Sequence, residues 1–401
     1  MSRIPARLQP LWPLLRFVYR RLSLNVGRVG RVLGPFLGER RLPRRAYDSA
    51  LVAAAAEPEA LTLHPGPAVA IEERPLPVGM PPNHWAFDVA RHRRFPALNT
   101  LEIAGGIVVG DLGAVITPGG GIEMAASEYW DMRSWREHPV NFSGRLPQIT
   151  DVDGSLAVLA ARGGGANYYH FLLDVLPRIS ILEECYSGAV DRWFVPQSAR
   201  YHRELLTLGG WDSKAMINSS IAGAVRAERL LVPSLPNDNE ITPPWVVQWL
   251  RERFPAQRTE GLSSRIYITR GTAKNTRRYD QEAEVWPELE RRGFTMVDPG
   301  SLSVQEQIDT FAAAEVVVGV HGAALTNLVW SPPGVRVLHL MGPTFVKHCF
   351  QSLVDNVPGS QYRYLIGSGP TVPPGGPMTG LMTDISIDPG ELLDQLDAML
   401  G

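Results

Sequence analysis

Two rhythms of apolar and polar positions run along this chain. In its last third, short apolar runs alternate with stretches of helical spacing. Val316-Val317-Val318-Gly319-Val320 is the densest run, and its β-branched, Gly-bounded character predicts a strand buried on both faces, as in a parallel sheet. His321-Gly322-Ala323-Ala324 follows, then Leu325-Thr326-Asn327-Leu328, which suits a helix start, and residues 335–340 repeat the strand pattern after a Pro-Pro-Gly turn. Strands at 265–269 and 294–297 and helices at 282–292 and 304–314 complete a Rossmann-like half. Residues 84–127 read differently. Their short apolar runs are broken by Gly and Pro, which predicts antiparallel strands and turns, with Gly119-Gly120-Gly121 as a turn. An α/β rhythm returns over 191–235, and the Pro-rich stretch 233–244 marks a boundary. Residues 46–80, rich in Ala, Pro and Glu, read as a linker or irregular lead-in. The expected organisation is therefore a basic arm and linker (1–65), an amino-terminal α/β domain (66–235), a carboxy-terminal Rossmann-like domain (236–375), and a loop with an amphipathic helix packed on the body (376–401).

Composition adds an asymmetry to this outline. With 401 residues, 44% hydrophobic and 20% charged, the chain can bury two cores. Residues 1–45 hold eleven of the 39 basic residues and one of the 41 acidic ones, leaving 28 against 40 for the rest. An acidic body argues against a nucleic-acid footprint. Within the arm, residues 8–24 mix apolar anchors with Arg16, Arg20 and Arg21, and Pro10 and Pro13 spoil a secretion signal. Such a helix suits an anionic membrane surface; the competing reading is an arm docked on the protein's own body or on a partner. No run reaches the roughly 18 apolar residues of a spanning helix. The two cysteines, Cys185 and Cys349, cannot form a disulfide framework and read as buried thiols in a reduced compartment.

Three stretches carry candidate chemistry. The strand-to-helix turn at His321 has small residues that let a ligand approach backbone N–H groups, with Thr326 and Asn327 one turn on. Packing alone would also explain its small residues. In GGGANYYHFLLDVLPR, His170, Asp174 and Arg178 recur every four residues, so a regular helix would carry all three on one face beside Asn167 and Tyr169. A solvated charge ladder is the plainer alternative. After the strand ending in Arg270, the loop GTAKNTRRY adds Lys274, Arg277 and Arg278, which suits a diphosphate. Asp151-Val152-Asp153-Gly154 has the form of a metal-holding DxD, although Asp-Gly before a strand reads as a plain turn.

Taken in order, NYYHFLLDVLPR, RIYITR with RRYDQEAEV, GFTMVDPGSLSVQEQI and VVVGVHGAALTNLVWSPPGVRVLHL resemble glycosyltransferase family 61 over roughly residues 150–370. Bacterial members are often labelled capsular polysaccharide biosynthesis proteins. The resemblance implies a GT-B architecture, two α/β domains facing across a cleft, and an inverting, metal-independent transfer from a nucleotide-sugar to a hydroxyl of a glycan or lipid-linked glycan. The enzyme expected is a hexosyl- or pentosyltransferase that needs no cofactor and works on the cytoplasmic side; the first 80 residues lie outside the resemblance, and the basic arm there is read as a means of peripheral attachment to the inner membrane. In this reading Arg270, Lys274 and Arg278, with His321, Gly322, Ala323, Ala324, Thr326, Asn327 and His339, hold the donor. Asp174 is the first choice for the base and His170 the second, while Asn167, Tyr169 and Arg178 serve the acceptor. His339 stands where the family commonly has an acidic, ribose-holding residue, and Gln281 where Asn is usual. The alternative is a catalytically silent glycan-binding or scaffold subunit.

Overall fold

The computed structural model describes residues 12–130, 132–271, 277–376 and 378–401. Its elements form a mixed α/β structure around two large sheets and a small two-stranded one. The second large sheet is the more regular. Its strands run in the spatial order Thr295–Val297, Arg265–Ile268, Val316–Val320, Arg336–Met341, Gln361–Ile366 and Val78–Met80, every neighbouring pair parallel. Val316–Val320 lies between two partners and is buried along its whole length, as its apolar run requires. Among the strands from residue 265 onward the chain order is 2-1-3-4-5. The direction of winding reverses between Arg265–Ile268 and Val316–Val320, and a crevice at the carboxyl ends of such a pair is where doubly wound sheets take ligands.

The first large sheet has a parallel core of Ala224–Pro233, Ile149–Val158, Arg192–Val195 and Ala215–Asn218. An antiparallel meander, Ile107–Val109, Ala114–Ile116 and Gly121–Glu123, extends one side. Gly120 takes a φ of 78° in its last turn, where the sequence placed a turn. The Asp151–Gly154 stretch is a bulge inside the strand Ile149–Val158 rather than a turn before it.

Residues 46–80 are not an irregular lead-in. They form a helix, Ala50–Ala56, capped by Ser49, and the strand Leu61–Pro65 pairs with Asn99–Ala104 in the first sheet. Val78–Met80 crosses to become the edge strand of the second sheet, carrying a segment assigned from sequence to the amino-terminal domain into the other half. Arg93, fully buried, fixes the same crossing segment: it donates to the Ala90 carbonyl at 2.8 Å and pairs with Asp355. The largest apolar cluster is continuous between the halves, joining Phe171, Trp193 and Leu231 to Ile266, Val317 and Tyr362. Helix Pro389–Leu400 packs on the second sheet through Leu392, Leu396 and Met399.

Candidate active site

The helix that opens at Tyr168 departs from regular geometry at the residues of interest. Asn167 caps it, its side-chain oxygen accepting from the Tyr169 N–H at 3.0 Å. Tyr168–His170 is α-helical, Phe171–Val175 is a π turn, and Pro177–Cys185 is α-helical again. A π turn acts as a one-residue insertion and rotates the downstream residues by about 100°. His170 and Asp174 stay together, with Nδ1 of the imidazole 2.7 Å from Oδ2 of the carboxylate. Arg178 does not join them. It is fully buried and donates to the carbonyls of Ala160, at 2.7 Å, and Pro233, at 2.5 Å, so it braces two strand ends instead of facing an acceptor.

Asp174 is committed on both oxygens, because Asn237 Nδ2 donates to Oδ1 at 2.7 Å. Its burial alone would raise its pKa, but the bond from His170, with Arg162 and Asn237, holds it below the usual carboxylate range. With Nδ1 turned to Asp174, Nε2 is the ring nitrogen of His170 directed away from the carboxylate. Gly163, at a φ of 73°, lies flat against that ring, where a Cβ would strike Cδ2 of His170. The Trp130 ring covers it, with centroids 5.1 Å apart.

Around the dyad stands a set of charges that sequence reasoning missed. Arg162 pairs with Glu128, and Glu240 with Lys347 at 2.9 Å. Burial would raise Glu240 and lower Lys347; each partner outweighs it, so the carboxylate is pushed down and the ammonium up. Asn239 and Glu240 sit at φ of 52° and 59°, a left-handed pair without glycine, costing roughly 1–3 kcal/mol each. Tyr169 donates its hydroxyl to the Glu240 carbonyl at 3.3 Å. The one hint in the sequence was four successive polar residues, Asn237 to Glu240, inside the stretch read as a boundary.

The switch point of the second sheet supplies the other wall. Gly322 is extended, and a Cβ there would collide with Nη1 of Arg270, so guanidinium and backbone are in direct contact. Burial lowers the Arg270 pKa, helped by Arg278. Arg277, seen in the sequence but passed over for its neighbours, is buried, whereas Arg278 beside it is exposed. The φ of Arg277 is 71°, its Nε has no partner among the described residues, its guanidinium lies 5.2 Å over the Phe345 ring, and burial drops its pKa to about 10. Arg278 is exposed and tied by its backbone N–H to Asp384 at 2.8 Å. Lys274 lies outside the described residues.

His321 and His339 form a buried, hydrogen-bonded pair. His339 is fully buried, 3.1 Å through Nε2 from Nδ1 of His321 and 2.5 Å through Nδ1 from the Tyr362 hydroxyl. Both of its ring nitrogens are thus engaged within the protein. Tyr362, with its pKa raised far up by burial, keeps its proton, and His339 is its acceptor among the described residues. Tyr362 thus donates to His339 and His339 to His321, which leaves the proton of His321 on Nε2; His321 lines a cavity of about 250 Å³ with Arg277, Gly342, Thr344, Phe345 and Asp384. Burial, with the neighbouring cations, keeps both imidazoles neutral: His339 falls to about 3 and His321 well below its ordinary value.

The turn after His321 is a 3₁₀ helix, Ala323–Trp330, in place of the expected α-helix. Ala323 and Ala324 are half-buried at its mouth. Thr326 and Asn327 are fully buried away from it. Asn327 accepts from Tyr168 at 2.8 Å and donates to Gln307 at 2.9 Å, a strut between the two halves. Phe350 joins the walls, its ring 5.8 Å from Tyr169 and 5.1 Å from His321.

Residues 168–338 match the family model Glycosyltransferase 61. That places this segment in glycosyltransferase family 61, as the four sequence blocks implied. The glycosyltransferase 61 segment contains the dyad, Asn237, Glu240 and the whole switch point, while Arg162, His339, Lys347 and the basic helix fall outside it. No curated protein matches the chain. Among the described residues, no group of three His, Cys, Asp or Glu is placed to hold a metal ion. Asp151 and Asp153 are exposed at the start of their strand, opposite the end that leads to Arg162, and Asp151 is 3.3 Å from Arg226.

Proposed function

We propose that the chain transfers a sugar, hexosyl or pentosyl, from a nucleotide-sugar to a hydroxyl of a surface or capsular polysaccharide precursor, with inversion and without a metal. The observation that carries this reading is the chain of rings, His170 on Tyr169, Tyr169 on Phe350 and Phe350 on His321, that links an oriented imidazole to a buried cationic crevice at a sheet switch point. His170 is the base: its Nε2 takes the acceptor's proton while Asp174, steadied by Asn237, holds Nδ1–H and supports the imidazolium that forms. That reverses the order in which sequence alone ranked the two. Arg270, Arg277 and the Nε2–H of His321 offset the charge gathering on the departing nucleoside diphosphate, which electrostatics can do in a water-poor site. Attack from the dyad wall and departure toward the cationic wall are the geometry of inversion.

On this reading the two sheets are the halves of a GT-B enzyme, and Asn327, Phe350 and the crossing strand Val78–Met80 set their spacing. The competing reading, a silent glycan-binding or scaffold subunit, draws on His339, whose burial removes a familiar ribose contact. A panel of UDP-, GDP-, CDP- and TDP-sugars decides. Thermal stabilisation by one nucleotide, followed by turnover that persists in EDTA, is the expected result; no stabilisation by any of them would leave the silent reading.

A further inference from the structure

The helix Trp12–Val32 is built inside out. The side it turns to the protein is made of small residues: Ser23, Gly27, Gly30 and Gly34 are buried. A Cβ at Gly27 would meet the Asn141 carbonyl at 3.1 Å, and one at Gly30 would overlap the Gly144 carbonyl, so the backbone lies directly on the loop that it covers. Arg20 pairs with Glu137, and Arg31 donates to Asn141 at 3.2 Å, which clamps the same side.

Its large apolar residues face solvent. Tyr19, Leu22, Val26, Val29, Leu33 and Phe36 recur at alternating steps of three and four and are 44–86% exposed, one unbroken stripe. Burial of such a stripe elsewhere is the ordinary fate of an amphipathic helix, and a patch like this on a folded surface marks an interaction site. Charge identifies the occupant. Arg28, Arg41, Arg44 and Arg45 are exposed near or along the stripe, and the one acid of residues 1–45, Glu39, is 3.1 Å from Arg226. A second copy would bring arginines against arginines with no acids to pair them. An anionic bilayer offers acyl chains to the stripe and phosphates to the guanidiniums together. No helix among the described residues is long and apolar enough to cross a membrane, so contact would be with the surface.

We infer that the outward face of Trp12–Val32 and its continuation through Phe36 is a docking surface for an anionic membrane, carried on a helix already fastened to the body. The two sequence alternatives, membrane helix and self-docked arm, are then two faces of one element. This inference stands whatever reaction the chain catalyses.

Flotation of the full chain with vesicles tests it. Wild type should rise with phosphatidylcholine–phosphatidylglycerol vesicles, less so as salt increases, and much less with phosphatidylcholine alone. The triple variant Leu22→Ser, Val29→Ser, Phe36→Ser should keep its melting temperature, since these side chains are exposed, and bind at least about tenfold more weakly. Arg28→Glu with Arg44→Glu should abolish the preference for anionic vesicles. Equal flotation of wild type and triple variant would overturn the proposal. So would a wild-type dimer in light scattering that the triple variant reduces to monomer, because that outcome gives the stripe to a second copy.

Discussion

His170 and Arg277 divide the proposed chemistry between them, and each role has a distinct signature. Replacing His170 by Gln should lower kcat about 10²- to 10⁴-fold, the usual worth of a positioned base, while donor affinity in calorimetry stays near wild type. Asp174→Asn should also lower kcat, by a smaller factor, because the imidazole loses its orienting acceptor but remains in place. If the Asp174 variant proves inactive and the His170 variant active, the order of the two is wrong. Arg277→Ala should weaken nucleotide binding about 10- to 100-fold, the loss of one charge-assisted partner of a diphosphate, with kcat at saturation far less changed. Unchanged nucleotide affinity would remove it from the site. Which basic residue of GTAKNTRRY faces inward was not legible in the sequence, since three cations in a loop have no periodicity to sort them. Between the two described ones, Arg277 and Arg278, the left-handed φ at Arg277 and its seat on Phe345 mark the inward residue.

Elements were legible where periodicity is strong and opaque where it breaks. The buried strand Val316–Val320 and the antiparallel meander follow from apolar runs and glycines alone. The π turn Phe171–Val175 does not, because a one-residue slip in a helix leaves the residue types unchanged; it kept His170 and Asp174 together and sent Arg178 into the core. Glu240 was hidden for a related reason, in a Pro-flanked polar stretch that reads as a linker until its left-handed backbone is seen. The amino-terminal helix was recognisable as amphipathic, but its orientation depends on glycines meeting a loop more than a hundred residues later. Gly30→Ala should lift this helix from Gly144, exposing residues 12–36 to limited proteolysis at concentrations that leave wild type intact. Equal resistance would mean the helix is held by other contacts. The rest of the molecule should melt as before, because its cores lie elsewhere.

Over the whole molecule, buried histidines set the response to acid. His138 and His202 are pushed down to about 4 by burial, His339 to about 3, and His321 well below its ordinary value. The unfolded chain protonates these imidazoles near pH 6.5 and the folded one does not, so stability is present above pH 6.5 and is lost as pH falls toward 4, by up to about 1.4 kcal/mol per pH unit for each. Glu123 acts in the opposite sense. Burial raises it to about 7, so its cost is felt above pH 7 and relieved as pH falls, and burial raises Glu128, Glu183 and Asp355 in the same sense. Urea unfolding at pH 7.5, 6 and 5 should therefore show a steep acid loss, steeper still in Glu123→Gln. A level profile would mean that water reaches these imidazoles.

The crossing strand also constrains biosynthesis. Val78–Met80 pairs with Gln361–Ile366, whose residues leave the ribosome roughly 290 positions later, or about 15 to 60 s at 5–20 residues per second. Throughout that interval the strand has no parallel partner, and Phe87, which will stack on Tyr364 at 4.4 Å, has no ring to cover it. Translation must pass residue 366 before the segment from Val78 to Phe87 can finish folding.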